Sequence, residues 1–204
     1  GQQLLAAAGQ AGATLIETSE RIMAKVATTD TPAPVVATVR RADFPTLRAG
    51  VPPSGLLLDG LQDPGNVGTI LRAAWAAGSS SILAGPGTVD LFAPKVLRAA
   101  QGAHFHLSLR ELARDELLAA IQEEGWWLVA AEASPGAVPF WRAELRRPCL
   151  LLIGNEARGI DPALRGAAAE RVSVPMAAGV DSLNAALSAG IILFELVRRA
   201  GESV

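Results

Sequence analysis

From residue 55 onward short apolar runs alternate with segments of helical period, and that alternation leaves few folds open. GLLLD at 55–59 and CLLLIG at 149–154 are continuously apolar, as strands covered on both faces of a parallel sheet are. Between such runs Val67, Ile70, Leu71, Ala74 and Trp75 follow i, i+3, i+4, i+7, i+8, which predicts a helix with one apolar stripe. Asn66 is suited to cap it and Gly78 to end it. Further strands are expected at 80–84, 104–109, 126–132 and 171–175, and further helices near 94–101, 114–124, 161–168 and 182–200. Strands and helices in this order call for an α/β domain, a mostly parallel sheet with helices on both faces.

The first 41 residues read differently. A helix is expected over 2–9, a strand over 13–17, a helix capped by Thr18 or Ser19 and carrying Ile22, Met23 and Val26, and a strand over 35–39. A unit of this size is too small to close its own core, so it reads as a partial small α/β domain. ADFPTLRAGVPPSG at 42–55, with three prolines, two glycines and no periodicity, is the natural linker, and the main domain is expected over 54–204.

Composition narrows the function. The net charge of −2 argues against binding nucleic acid through bulk electrostatics, so any RNA contact must come from a local patch. No apolar run approaches the roughly 20 residues of a membrane helix, and a cytoplasmic location follows by default. Cys149 is the only cysteine, which excludes disulfides and cysteine-rich metal sites. His104 and His106 would share a face of a strand, but two histidines without a third ligand do not make a metal site, and both read as structural.

Three loops carry the candidate chemistry. DPGNVGTILRAA at 63–74 holds Asn66 and, off the apolar stripe, Arg72; GNEARG at 154–159 holds Gly154 and Glu156; VPMAAGVDSLN at 174–184 holds Val174, Pro175, Met176, Ser182, Leu183 and Asn184. Each also has a plain structural reading. Arg72 is a surface arginine, Asn66 and Ser182 are helix caps, Glu156 is a loop carboxylate free to pair with Arg72 or Arg158, and Leu183 is the first core residue of the closing helix. A capping asparagine uses only its side-chain oxygen, which leaves the NH2 of Asn66 able to hold Glu156 or RNA.

Together and in this order, the three motifs resemble those of the SpoU (TrmH) family of RNA 2′-O-ribose methyltransferases, within the SPOUT superfamily. The likeness covers about 54–200. It implies a C-terminal trefoil knot, S-adenosylmethionine as cofactor, no metal, an RNA substrate and a homodimer. It also implies roles: Asn66, Arg72, Glu156, Ser182 and Asn184 in catalysis, and backbone around Gly154, Val174, Pro175, Met176 and Leu183 around the cofactor. Arg72 matches the arginine expected to handle the ribose hydroxyl. A guanidinium holds its proton too tightly to make a good base, and orientation with charge stabilisation is the better role. One departure stands at Ala100, where relatives of Arg98–Gly102 have serine.

The first 41 residues resemble the final portion of a ribosomal-protein-like RNA-binding domain that precedes the catalytic one in many relatives, with some tens of residues expected ahead of them. That fragment favours large-subunit ribosomal RNA over transfer RNA. A non-catalytic RNA-binding protein of the same fold is the alternative. Another class of α/β enzyme is disfavoured, because GxGxxG, GxSxG and P-loop patterns are absent. For the closing helix, Leu183, Ala186, Leu187, Gly190, Ile191, Phe194 and Val197 form the expected core stripe. Ala185, Ala189, Ile192, Leu193 and Leu196 widen it enough to suggest a second buried surface, where small residues would admit a partner helix.

Overall fold

The computed structural model describes residues 2–27, 34–44 and 54–201. The chain divides into two compact units, Gly1–Arg41 and Ala42–Val204. The first contains α1 (Gln2–Gln10) and α2 (Glu20–Val26), neither of which has a buried residue. The strands expected at 13–17 and 35–39 do not form. Leu15, Ile16, Val35 and Val36 are exposed, and a β-branched run with no neighbouring strand has no ladder to join. Ser19 begins α2, as one of the two expected caps, but its side chain makes no capping bond. Most of the expected linker, residues 45–53, lies outside the described residues.

The second unit is built on seven strands: β1 (Ser54–Asp59), β2 (Ser81–Ala84), β3 (Ser108–Glu111), β4 (Trp127–Ala131), β5 (Val138–Pro139), β6 (Cys149–Gly154) and β7 (Glu170–Ser173). They form one sheet in the order β3-β2-β1-β6-β4-β7-β5, and every pair is parallel. The helices are α3 (Pro64–Ala76), α4 (Pro94–Ala100), α5 (Arg114–Glu123), α6 (Pro162–Ala167) and α7 (Ala185–Ala200). Side chains alternate across a strand, so Leu56 and Leu58 of β1 pack with α3, α4 and α7 on one face. Leu57 packs with Leu117 and Ile121 of α5 and Leu164 of α6 on the other. Both faces are therefore covered, which is why β1 is buried along its whole length.

Close packing of α3 on α4 depends on Gly68. A Cβ there would meet the Cβ of Ala99 and lie 2.7 Å from the Val96 carbonyl oxygen, so any larger residue must push the helices apart.

The strand expected over 104–109 starts late. Gln101 and Gly102 have φ of 51° and 88°, and that left-handed pair turns the chain into a 3-10 helix, Ala103–Phe105, before β3. His104 is buried there with Nε2 bonded to the Leu91 carbonyl at 2.7 Å, and burial holds its pKa below the usual histidine value. His106 lies outside the sheet and stacks on Trp75. The two histidines thus share no strand face, and each has a structural partner. Trp75, expected in the apolar stripe of α3, is exposed.

The closing helix also presents its faces differently. Ala186, Ala189, Ile192, Leu193, Leu196 and Val197 are buried, whereas Leu187 and Phe194 of the expected core stripe are 53% and 45% exposed. At its C-terminal end Glu195 is buried and accepts from Arg198 and Arg199, while Arg199 also donates to the carbonyls of Ala143 and Phe140. These two guanidinium groups lower the Glu195 pKa from 4.5 to about 2. A depressed carboxyl pKa contributes stability above the unfolded value that is lost as pH falls through the folded one. In acid unfolding, the stability advantage of wild type over Glu195→Gln should therefore shrink between about pH 4.5 and about pH 2. A difference that stays constant over that window would show that the cluster contributes no ionic stabilisation.

Candidate active site

The register Asp59↔Gly154 brings the carboxyl ends of β1 and β6 side by side. The chain leaving β1 goes to β2 on one side, while that leaving β6 goes to β7 beyond β4, so a crevice opens where the connections diverge.

Asn66 does not cap α3. Asp63 does, its Oδ1 accepting from the Asn66 backbone N–H at 2.7 Å, with Pro64 at the first helical position. Asn66 is therefore in the first turn with its whole side chain free. Its Nδ2 donates to Glu156 Oε1 at 2.9 Å and its Oδ1 accepts from Asn184 Nδ2 at 2.8 Å. Asn184 is in turn the cap of α7, accepting from the N–H groups of Ala186 and Leu187. Ser182, expected as that cap, lies two residues before it in irregular backbone, and Leu183 precedes the helix instead of starting its core. One hydrogen-bonded chain thus joins the starts of α3 and α7 to the loop after β6, over sequence separations of 90 and 118 residues. Glu156 accepts from an amide; neither Arg72 nor Arg158 pairs with it among the described residues.

The loop after β6 is held by Asn155, a residue that motif reading passed over. Its Nδ2 donates to the Gly60 carbonyl at 2.6 Å and its Oδ1 accepts from the N–H groups of Ala157 and Arg158. Backbone bonds in both directions tie Asn155 to Gly159. The space facing Gly154 is filled by this loop: a Cβ would lie 2.8 Å from the Gly159 carbonyl oxygen and 2.5 Å from Ile160 Cγ1. Any side chain at Gly154 therefore displaces the loop itself, a larger change than a plug in an otherwise intact pocket. An Asn whose side chain takes the N–H groups two and three residues on makes such an Asx-stabilised turn, and asparagine in a loop is the sequence signal for it.

Behind the loop is a cleft walled by Ile153 and Gly154 at the end of β6, Val174 and Met176 after β7, and Ser182 and Leu183 before α7. Glu132, Glu156, Ser188 and Ile192 also line it, and neither Glu132 nor Ser188 belongs to a motif or an apolar stripe of the sequence. Glu132 is held by Arg165 at 2.7 and 2.9 Å and by Ser134, and these bonds lower its pKa. The lining contains two carboxylates and no Lys or Arg. Pro175, Asn66, Asn184 and Arg72 are not in the lining. Asn66 and Asn184 reach it through Glu156, whereas Arg72 is exposed on α3 with no side-chain partner among the described residues. Among the described residues, no three His, Cys, Asp or Glu side chains are grouped to hold a metal, and no helix is long and apolar enough to cross a membrane.

The family model described as SpoU rRNA Methylase matches residues 54–194. The chain belongs to that family. An uncharacterized tRNA/rRNA methyltransferase of Synechocystis is 35% identical over 184 residues, 89% of this chain and 66% of its own length. The 23S rRNA (guanosine(2553)-2′-O)-methyltransferase RlmP of Bacillus subtilis is 33% identical over 87% of this chain and 70% of its own. Among solved structures, an AdoMet-bound rRNA methyltransferase from Sinorhizobium meliloti superposes with a TM-score of 0.81 at 29% identity, covering 99% of this chain and 78% of that one. The chain thus spans about two thirds of the length of curated relatives it matches. The SpoU match begins at Ser54, the first residue of β1, and ends within α7.

Proposed function

We propose that this SpoU-family chain is an S-adenosylmethionine-dependent RNA 2′-O-ribose methyltransferase, with ribosomal RNA favoured over transfer RNA. The observation that carries this reading is the Glu156–Asn66–Asn184 chain at the mouth of a cleft formed by the loops after β6 and β7 and before α7. Glu156, a lining carboxylate with no basic partner among the described residues, suits a cationic ligand, and Val174, Met176 and Leu183 supply apolar and backbone surface for an adenosyl group. One relative solved with AdoMet bound and another named as a 23S rRNA 2′-O-methyltransferase support the same assignment.

Bound in the cleft, S-adenosylmethionine supplies a methyl group on a positively charged sulfur. The chain's own contribution is placement. Gly154, Val174, Pro175, Met176 and Leu183 shape the cofactor loops, Ser182 stands at the rim, and the Asn66–Asn184 pair fixes Glu156. The free guanidinium of Arg72 orients the ribose hydroxyl and stabilises charge on the RNA side.

Arg72 serves this role in a homodimer. Leu187, Gly190, Ile191 and Phe194 recur at i, i+3, i+4, i+7 along one face of α7, the first and last exposed and the middle two half-buried, and Gly190 has open space before it. A second copy on that face would bury it and complete the site. The first unit belongs with RNA binding as the end of a ribosomal-protein-like domain joined through 42–53. The C-terminal trefoil knot and a cytoplasmic location go with the same reading.

Calorimetry with S-adenosylmethionine tests the cleft. Leu183→Lys places a cation in the lining and should weaken binding at least tenfold, while Arg72→Ala should not. Unchanged affinity in Leu183→Lys would put the cofactor elsewhere.

A further inference from the structure

The stacked pair Trp75 and His106 has no place in the site described above. The indole is 41% exposed although it follows the apolar spacing of α3, and the imidazole lies against it at 4.1 Å between ring centres with 7° between planes. The stack holds the indole in one orientation, so little side-chain freedom remains to be lost on binding. Next to it Phe105 is also exposed, with one ring neighbour in Phe44 at 5.1 Å. Arg72 lies three residues before Trp75 and so shares its side of the helix. The segment that contains them is more basic than the chain as a whole. From Pro64 to Leu109 the only acidic residue is Asp90, against Arg72, Lys95 and Arg98, in a protein with 20 acidic and 18 basic residues.

We infer that Trp75 and His106 form a stacking platform for an unpaired nucleobase of the RNA substrate, beside the nucleotide served by Arg72. This rests on the RNA-methyltransferase reading and adds the strand state of the RNA that is engaged. Aromatic platforms flanked by basic side chains are how proteins hold single strands without reading sequence, and stacking is open only to bases not already paired.

The test uses the whole chain with a single-stranded oligoadenylate and an RNA duplex of equal length. Trp75→Ala should weaken oligoadenylate binding about tenfold or more and leave duplex binding unchanged, whereas Trp75→Phe should keep most of it. His106→Ala, at an exposed position, should produce a smaller loss in the same direction and serves as the readout if Trp75→Ala fails to fold. Cofactor affinity should not move in any of these variants. Wild-type affinity of Trp75→Ala or His106→Ala in an enzyme that still methylates RNA overturns the platform and leaves the methyltransferase reading intact. Failure of the wild type to bind either RNA overturns both. A drop in mass from dimer to monomer in Trp75→Ala assigns the face to a second copy, and the platform falls.

Discussion

Arg72→Ala should bind S-adenosylmethionine within a few-fold of wild type and lose methyl transfer by a hundredfold or more. The expectation follows from where the side chain is: exposed on α3, outside the cofactor cleft and without an ion-pair partner among the described residues. Removing it takes nothing from the cofactor pocket and little from the fold, so the whole effect falls on the RNA side. A guanidinium that places the hydroxyl and offsets developing charge accounts for about 3 kcal/mol or more of barrier, on the scale of one preorganised donor. Arg72→Lys should recover only part of this, since an ammonium keeps the charge but not the planar fork. Steady-state transfer measured beside cofactor calorimetry separates the two effects. Near-wild-type turnover in Arg72→Ala would remove the residue from the mechanism.

Phe194→Glu should yield a folded monomer with almost no activity. Phe194 is exposed, so a carboxylate there meets water in a lone chain and costs little. Across a dimer face it would be buried among Leu187, Ile191 and their symmetry mates without a partner, a cost of several kcal/mol. Light scattering should give a mass near 21.1 kDa for the variant and twice that for wild type. Retention of the cofactor site in the monomer would show as unchanged S-adenosylmethionine affinity, because the cleft lining contains neither Leu187 nor Phe194. A wild type that is itself monomeric would end the shared-site account.

Much of this architecture could be read in advance, and the failures have physical causes. Continuous apolar runs found β1 and β6 because strands covered on both faces carry no polar alternation. The helical period found α3 and α7, but period alone gives a stripe and not its orientation. On α7 two stripes were available, and the sheet took Ala189, Ile192, Leu193 and Leu196 while Leu187 and Phe194 faced out. The strands expected at 13–17 and 35–39 rested on residue type without a pairing partner. At 101–106 a left-handed pair of residues outweighed the β pattern of His104 to Leu109.

Within the site, all three motif loops were visible, but their internal division of labour was not. Asn66 and Ser182 were natural caps by residue type, yet Asp63 and Asn184 cap α3 and α7. The cue at the first helix was present in Asp63-Pro64, a cap followed by a residue that needs no N–H donor. At the second nothing local distinguished Ser182 from Asn184, since both side chains cap well. Only the contact with Asn66, 118 positions away, shows why Asn184 stands there. Glu132 and Ser188 entered the cleft for the same reason: long-range packing, which no local pattern encodes.

The most direct measurement of the central claim is transfer of labelled methyl from S-adenosylmethionine to separated ribosomal and transfer RNA, followed by alkaline hydrolysis. A methyl on the ribose 2′-oxygen blocks cleavage of the adjacent phosphodiester. The account predicts label in alkali-resistant dinucleotides, strongest with ribosomal RNA and abolished in Arg72→Ala. Label released as mononucleotides would place the methyl on a base, and no transfer to either RNA would leave the chain as a binding protein of the SpoU fold; either result contradicts the account.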